Sequence, residues 1–260
     1  MTQGNLWDRL TREPVYLDQT TRVLEIDPDE VTRFYEPLAG RVLGLERPGG
    51  RAVVAVAGPP GCGKTAFATT LTAVLNAIEG RDAGVMVGLD GWHFPNSYLD
   101  SHTVEHDGCA IPLRKIKGAP ETYDQARIRS FMASVHRHGR MAYPVYSREV
   151  HDPIPDAGAI EEWQTTVVLE GNYWLLSEPP WSEYWPLFDL RVFLEADPET
   201  LVAGLRERHV RGGKDTEFVA QHVRSVDLPN IDRVLLHRGP ADVTVRKTDG
   251  RTIAALEWAR

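Results

Sequence analysis

The chain has 260 residues with Lys+Arg 29 and Asp+Glu 37, a formal charge of −8, and is 42% hydrophobic and 25% charged. That balance builds a packed core and excludes a disordered chain, and the acidic surplus argues against a broad basic face for nucleic acid. Two cysteines, Cys62 and Cys109, are too few for a disulfide framework. Met1–Leu10 lacks an apolar signal core, and no run approaches the roughly 20 apolar residues that span a bilayer, so no membrane association and a cytoplasmic location are expected.

Leu6, Leu10, Val23, Leu24, Ile26, Val31, Phe34, Tyr35 and Leu38 recur at loosely helical spacing, with Asp27-Pro28 as a helix start. Residues 1–50 are therefore expected to be a helical lead-in packed on the main body, ended by Arg47-Pro48-Gly49-Gly50. The nearly continuous apolar run 51–57 predicts a strand buried on both faces of a parallel sheet. A glycine-rich turn precedes a helix over 64–78, and a second strand over 84–89 ends at Asp90. The stretch 91–122 has the irregular composition of a lid or binding loop.

A helix is predicted over 124–138, a strand over 141–146 and a polar stretch over 147–158. A buried strand at 165–169 ends in Glu170-Gly171, and another follows at 188–194. Asp197-Pro198-Glu199 opens a helix with an N-cap, a proline and an acidic first turn. The tail 216–236 is predicted helical with a break near Pro229, and 242–245 as a last edge strand. Alternating strands and helices predict an α/β fold, a mostly parallel sheet with helices on both faces. Residues 51–260 are read as one domain with an embedded lid around 198–215.

Gly58-Pro59-Pro60-Gly61-Cys62-Gly63-Lys64-Thr65 fits the phosphate-loop pattern G-x-x-x-x-G-K-[ST] between a buried strand and a helix, the context this motif requires. Its glycines let successive backbone N–H groups turn toward phosphate oxygens, and the helix that follows aims its positive end at them. Lys64 then neutralises β/γ-phosphate charge, and the Thr65 hydroxyl is placed to ligate Mg²⁺. Asp90, at a strand's C-terminal end, can take a proton from an attacking hydroxyl, ligate a metal or cap a turn. Glu170 is a candidate Mg²⁺ ligand, directly or through water.

Arg206, Arg208, Arg211 and Lys214 can close over a triphosphate or simply form a solvated face. His102, His106 and Cys109 have zinc-compatible spacing, although three such residues in a polar loop more often bind nothing. Cys62, near a helix N-terminus, is expected to have a lowered thiol pKa. Trp174, Trp181, Tyr184 and Trp185 fit aromatic packing better than an acceptor pocket.

The ordered set Gly58–Thr65, Asp90-Gly-Trp-His-Phe-Pro-Asn96, Lys117-Gly-Ala-Pro-Glu-Thr-Tyr-Asp124, Pro144-Val-Tyr-Ser147, His151-Asp-Pro-Ile-Pro-Asp156, Glu170-Gly-Asn172 and Asp227-Leu-Pro-Asn230 resembles P-loop small-molecule kinases of the pantothenate kinase, uridine kinase and phosphoribulokinase type. The resemblance spans roughly 53–236 and is strongest to the pantothenate kinase branch and its nucleoside-kinase-like or fructose-transport-kinase-like relatives. It implies the P-loop NTPase fold, ATP and Mg²⁺, and transfer of the γ-phosphate to a hydroxyl of a small metabolite that is pantothenate-, nucleoside- or sugar-like. It implies Asp90 as base, Lys64 on phosphate, and the lid residues Arg206, Arg208 and Arg211 completing the site.

His93, Tyr123, Tyr146, Arg148, His151 and Asn172 would face the acceptor. Pantothenate kinases carry a histidine where Arg148 stands, and uridine kinases a serine where Gly91 stands, so neither acceptor pattern is matched in full. The resemblance also suggests a homodimer. The alternative from another class is a nucleotide-switched or NTP-hydrolysing regulator. The guanine-reading Asn-Lys-x-Asp motif is absent, since no Asn precedes a Lys.

Overall fold

A computed structural model describes residues 3–17, 22–45, 47, 49–106, 108–249 and 251–259, with the side chains of 3–5 and 106 outside that description. Strand β1 (Ala52–Ala57) is apolar throughout because both of its faces are covered. Val54 and Val56 face one core, and Val53, Ala55 and Ala57 face the other, the period-two alternation of a pleated strand. The remaining strands of the main sheet are β2 (Gly84–Gly88), β7 (Thr166–Glu170), β8 (Leu190–Glu195), β9 (Val243–Lys247) and β10 (Ile253–Trp258), in the order β10-β9-β8-β1-β7-β2. All neighbours run parallel except β9 and β10.

On one face lie α1 (Gln3–Leu10), α2 (Pro28–Glu30), α3 (Glu36–Leu43), α4 (Lys64–Glu79) and α7 (Pro198–Arg211), where Leu6, Leu38, Leu71, Leu201 and Leu205 share a core with Val54. Asp27 caps the start of α2 by accepting from the Asp29 N–H. The other face is covered by α6 (Gln125–Met132) and by the aromatic segment 173–188, where Trp174, Trp181 and Tyr184 pack edge-on around one another. Those aromatics are core. No helix among the described residues is long and apolar enough to cross a membrane.

Several expected elements differ. The second strand stops at Gly88, and Leu89–Trp92 tightens into a 3₁₀ turn that carries Asp90. The 91–122 stretch has structure of its own: α5 (Asn96–Ser101) and a hairpin of β3 (Thr103–His106) and β4 (Cys109–Pro112). The helix predicted over 124–138 ends at Met132, with Asp124 as its N-cap. The polar stretch after β5 (Met141–Ser147) turns back as β6 (Asp152–Ile160), an antiparallel hairpin whose turn holds His151 at φ 53°. Its exposed faces hid the strand pattern.

The tail does not break at Pro229. Helices α8 (Thr216–His222) and α9 (Leu228–Leu236) are joined through a π turn, Val223–Asp227, and Pro229 sits in the first turn of α9, where its missing N–H is tolerated. The strand expected at the edge, β9, is covered by β10. Pro48, within the break expected after the lead-in, lies outside the described residues.

Candidate active site

In an open parallel sheet, ligands collect beyond the carboxyl ends of the strands. Here the loop after β1, the turn after β2 and the end of β7 all reach that edge. Gly58, Gly61 and Gly63 have φ of 153°, 87° and 79°, a backbone that turns its N–H groups inward as a phosphate cradle requires. Gly61 also has no room for a side chain, since a Cβ would come 2.5 Å from the Leu201 carbonyl oxygen of α7. Helix α4 begins at Lys64 with Gly63 as its N-cap and presents its positive end to the loop.

Lys64 is buried, and its Nζ donates to the Pro59 carbonyl at 2.9 Å and lies 3.8 Å from the Cys62 sulfur. An ammonium has three donors, so the loop leaves charge and hydrogen-bonding capacity for a phosphate. Cys62 corrects an expectation. It is fully buried, and burial pushes its thiol up, outweighing the neighbouring lysines.

The Thr65 hydroxyl donates to the Glu170 carboxylate at 3.3 Å, across from α4 to the end of β7. Hydroxyl and carboxylate oxygens are the hard donors that Mg²⁺ takes, so these residues fit the metal that a nucleoside triphosphate brings.

Asp90 rests on the turn after β2. A Cβ on Gly91 would overlap the Pro144 carbonyl of β5, so glycine lets the turn lie flat beneath that strand; serine has no space there. The Tyr123 hydroxyl donates to Asp90 Oδ1 at 3.1 Å, and the His93 ring packs against Tyr123 at a 35° tilt with centroids 3.9 Å apart. Desolvation by the surrounding protein pulls the half-exposed Asp90 carboxyl up, but the positive groups around it (His93 when charged, Arg148, Arg208) and the Tyr123 hydrogen bond outweigh it, so its pKa ends below the ordinary carboxylate value.

Burial holds His93 below the usual imidazole value against the pull of Asp90. The His93 Nδ1 lies 2.9 Å from the Asp90 carbonyl and donates there; when the ring is neutral, its Nε2 is an acceptor. That Nε2 is buried without a partner among the described residues.

The other expected residues separate. Arg208 acts on Asp90, whereas Arg211 pairs with Glu207 on its own helix, and Arg206 lines a shallow surface hollow with Pro198, Glu199, Val202 and Ala203. Tyr146 lies beside His93 at 5.8 Å between centroids, and Arg148 is exposed within reach of both Asp90 and Tyr146. His151 contributes its backbone: its carbonyl accepts from Lys117 Nζ at 2.8 Å and from Asn96 Nδ2 at 3.0 Å. Asn172 lies beside Tyr173, whose hydroxyl donates to the Gly118 carbonyl at 2.5 Å. Among the loop candidates for zinc, His102 is held by the Tyr98 carbonyl and stacked on its ring, and the His106 side chain lies outside the described residues.

Sequence reasoning missed two residues. Lys117 bonds Asn96 Oδ1 at 2.7 Å and sits 4.9 Å above the Tyr146 ring. Burial and then the nearby Arg114 lower its pKa to about 8. Arg114, exposed beside it, acts on Tyr146 as well. Only the quoted Lys117-Gly motif hinted at the first, and nothing marked the second.

A parallel sheet with a phosphate loop after its central strand and an acid after its neighbour is the architecture of a P-loop kinase. Comparisons with known proteins agree. The family model described as "Phosphoribulokinase / Uridine kinase family" matches residues 53–241, and the chain belongs to that family. It is 30% identical over 223 residues to the uncharacterised protein YggC of Escherichia coli K12, covering 85% of this chain and 89% of that one. It is 25% identical over 225 residues to a pantothenate kinase of Enterococcus faecalis, covering 77% and 70%. A solved structure from Silicibacter sp. TM1040, provisionally described as a fructose transport system kinase, superposes with a TM-score of 0.72 at 29% identity, covering 81% of this chain and 98% of that one.

Proposed function

We propose that this protein transfers the γ-phosphate of ATP to a hydroxyl group of a small metabolite that itself carries a negative charge. The observation that carries the reading is the surroundings of Asp90: an ionised carboxylate, hydrogen-bonded by Tyr123, within the field of Arg148 from the β5–β6 hairpin and of Arg208 from α7. Asp90 receives the hydroxyl proton as the oxygen attacks. Lys64 and the inward N–H groups of the loop hold the phosphates, and Arg208, on a lid over 198–215, balances charge on the group in flight. Thr65 and Glu170 would hold Mg²⁺, which supplies charge neutralisation between the β- and γ-phosphates.

The acceptor's charge follows from the local balance. Arg114, Lys117, Arg148 and Arg208 lie around Asp90, Asp100 and Asp152, one positive charge in excess, in a chain whose overall charge is −8. A carboxylate or phosphate on the acceptor satisfies that surplus.

The test is ADP release measured across vitamins, nucleosides, sugars, and sugar acids or phosphates. Acceptor-dependent turnover is expected, led by anionic compounds, with the acceptor KM rising above pH 8 as Lys117 (pKa about 8) loses its proton. Asp90→Asn should bind ATP normally and lose about 10²–10⁴-fold in kcat. Hydrolysis at the same rate with and without every acceptor would instead identify a nucleotide-hydrolysing regulator.

A further inference from the structure

Outside the sheet edge, one cluster of ligating side chains stands apart. His209 in the last turn of α7, His222 at the end of α8 and Asp227 at the end of the π turn each offer one ligand atom, all within 4.8 Å of one another. We propose that these three residues form a binding site for Zn²⁺ or a similar borderline transition-metal ion, which clasps α7 onto the 216–236 segment.

The backbone makes the cluster. In an α-helix, residues five apart diverge around the axis. Here the Leu228 N–H bonds to the Val223 carbonyl, five residues back, and that wider turn brings His222 and Asp227 to the same side. Single π turns of this kind recur at functional sites. His209 then meets Asp227 from the facing helix, Nε2 to Oδ2 at 2.8 Å. The His209 and His222 rings stand edge-on at 5.0 Å, and Phe218 stacks on His222 and fixes its plane.

Two imidazoles and one carboxylate are the donor set of three-ligand zinc sites that keep a fourth position for water. Bonds of about 2.0–2.2 Å at tetrahedral angles require donors about 3.3 Å apart, so a small side-chain rotation closes the triangle. Asp227 is buried, with its side chain only 7% exposed, where a carboxylate needs strong compensation. His222, half-buried, makes no hydrogen bond to any described residue through either ring nitrogen. The set carries one negative charge and faces Arg208 and Lys214, which favours a moderate-affinity, exchangeable ion over a permanent structural one. Arg208 precedes His209 directly, so the clasp holds the helix whose arginine acts on Asp90.

The experiment titrates the full-length protein with Zn²⁺ by calorimetry, in excess Mg²⁺ to fill the oxygen-rich Thr65–Glu170 position. One ion per chain is expected, and Co²⁺ in its place should give the intense visible bands of a four-coordinate ion. His209→Gln and His222→Gln, both at partly exposed positions, should each weaken binding at least tenfold, while His102→Gln binds as the parent does. Amide exchange over 198–211 should slow when Zn²⁺ is added. No binding by the parent protein, unaltered binding by both His→Gln variants, or unchanged exchange across α7 would each overturn the proposal.

Discussion

The two ends of β1 are built on opposite principles. At its N-terminal end the Arg51 guanidinium is fully buried and spends its donors on the carbonyls of Gln164 (2.9 Å), Glu161 (3.0 Å), Arg137 and Gly139. Asp189 beside it accepts from the Val53 N–H at 2.8 Å and from Arg47 at 2.7 Å. At the C-terminal end, three residues' worth of capacity is held back: Lys64 keeps an unused donor, Asp90 is half-open, and His93 Nε2 has no partner among the described residues. A buried polar group left unsatisfied costs about 1–3 kcal/mol, so the first end is organised for stability and the second gives some of it up for a ligand.

That contrast can be broken from either end. The largest effect is expected at the open end: Lys64→Ala should lose about 10³-fold in kcat/KM for ATP while thermal unfolding shows an unchanged or raised Tm. Activity loss accompanied by a large drop in Tm would mean that Lys64 holds the fold. At the closed end, Arg51→Met strands several carbonyls and should cost about 2–4 kcal/mol in denaturant unfolding, with kcat of the folded fraction preserved.

A finer probe is Tyr123→Phe. The hydroxyl it removes favours the charged form of Asp90, so the carboxyl pKa rises and the acid limb of the kcat/KM profile should move to higher pH. An unmoved limb would separate Asp90 from the essential base. The smallest change belongs to neither end. Arg129→Ala removes an exposed pair with Glu183 and should shift stability by less than about 0.5 kcal/mol.

Much of this was legible in the chain. The run 52–57, the glycines and Lys64-Thr65 that follow, and the acid after each of two further apolar runs carry local signals, because a strand buried on both faces must be continuously apolar and a phosphate loop must be contiguous. Strand β6 was not legible, since its exposed residues carry no alternation, and neither was the thiol of Cys62, whose burial overrides the helix end beside it. Lys117 and Arg114 escaped notice for another reason: their roles arise from a hairpin and a turn that meet only in space.

By itself, the sequence determined the fold class, the nucleotide loop and the acids at the sheet edge, since backbone geometry and burial pattern act over a few consecutive residues. Tertiary structure decided which arginine of α7 acts on Asp90, the gathering of positive side chains around that carboxylate, and the meeting of His209 with His222 and Asp227. Charge and metal-ligand geometry depend on distances between segments far apart in the chain, and packing alone sets those distances.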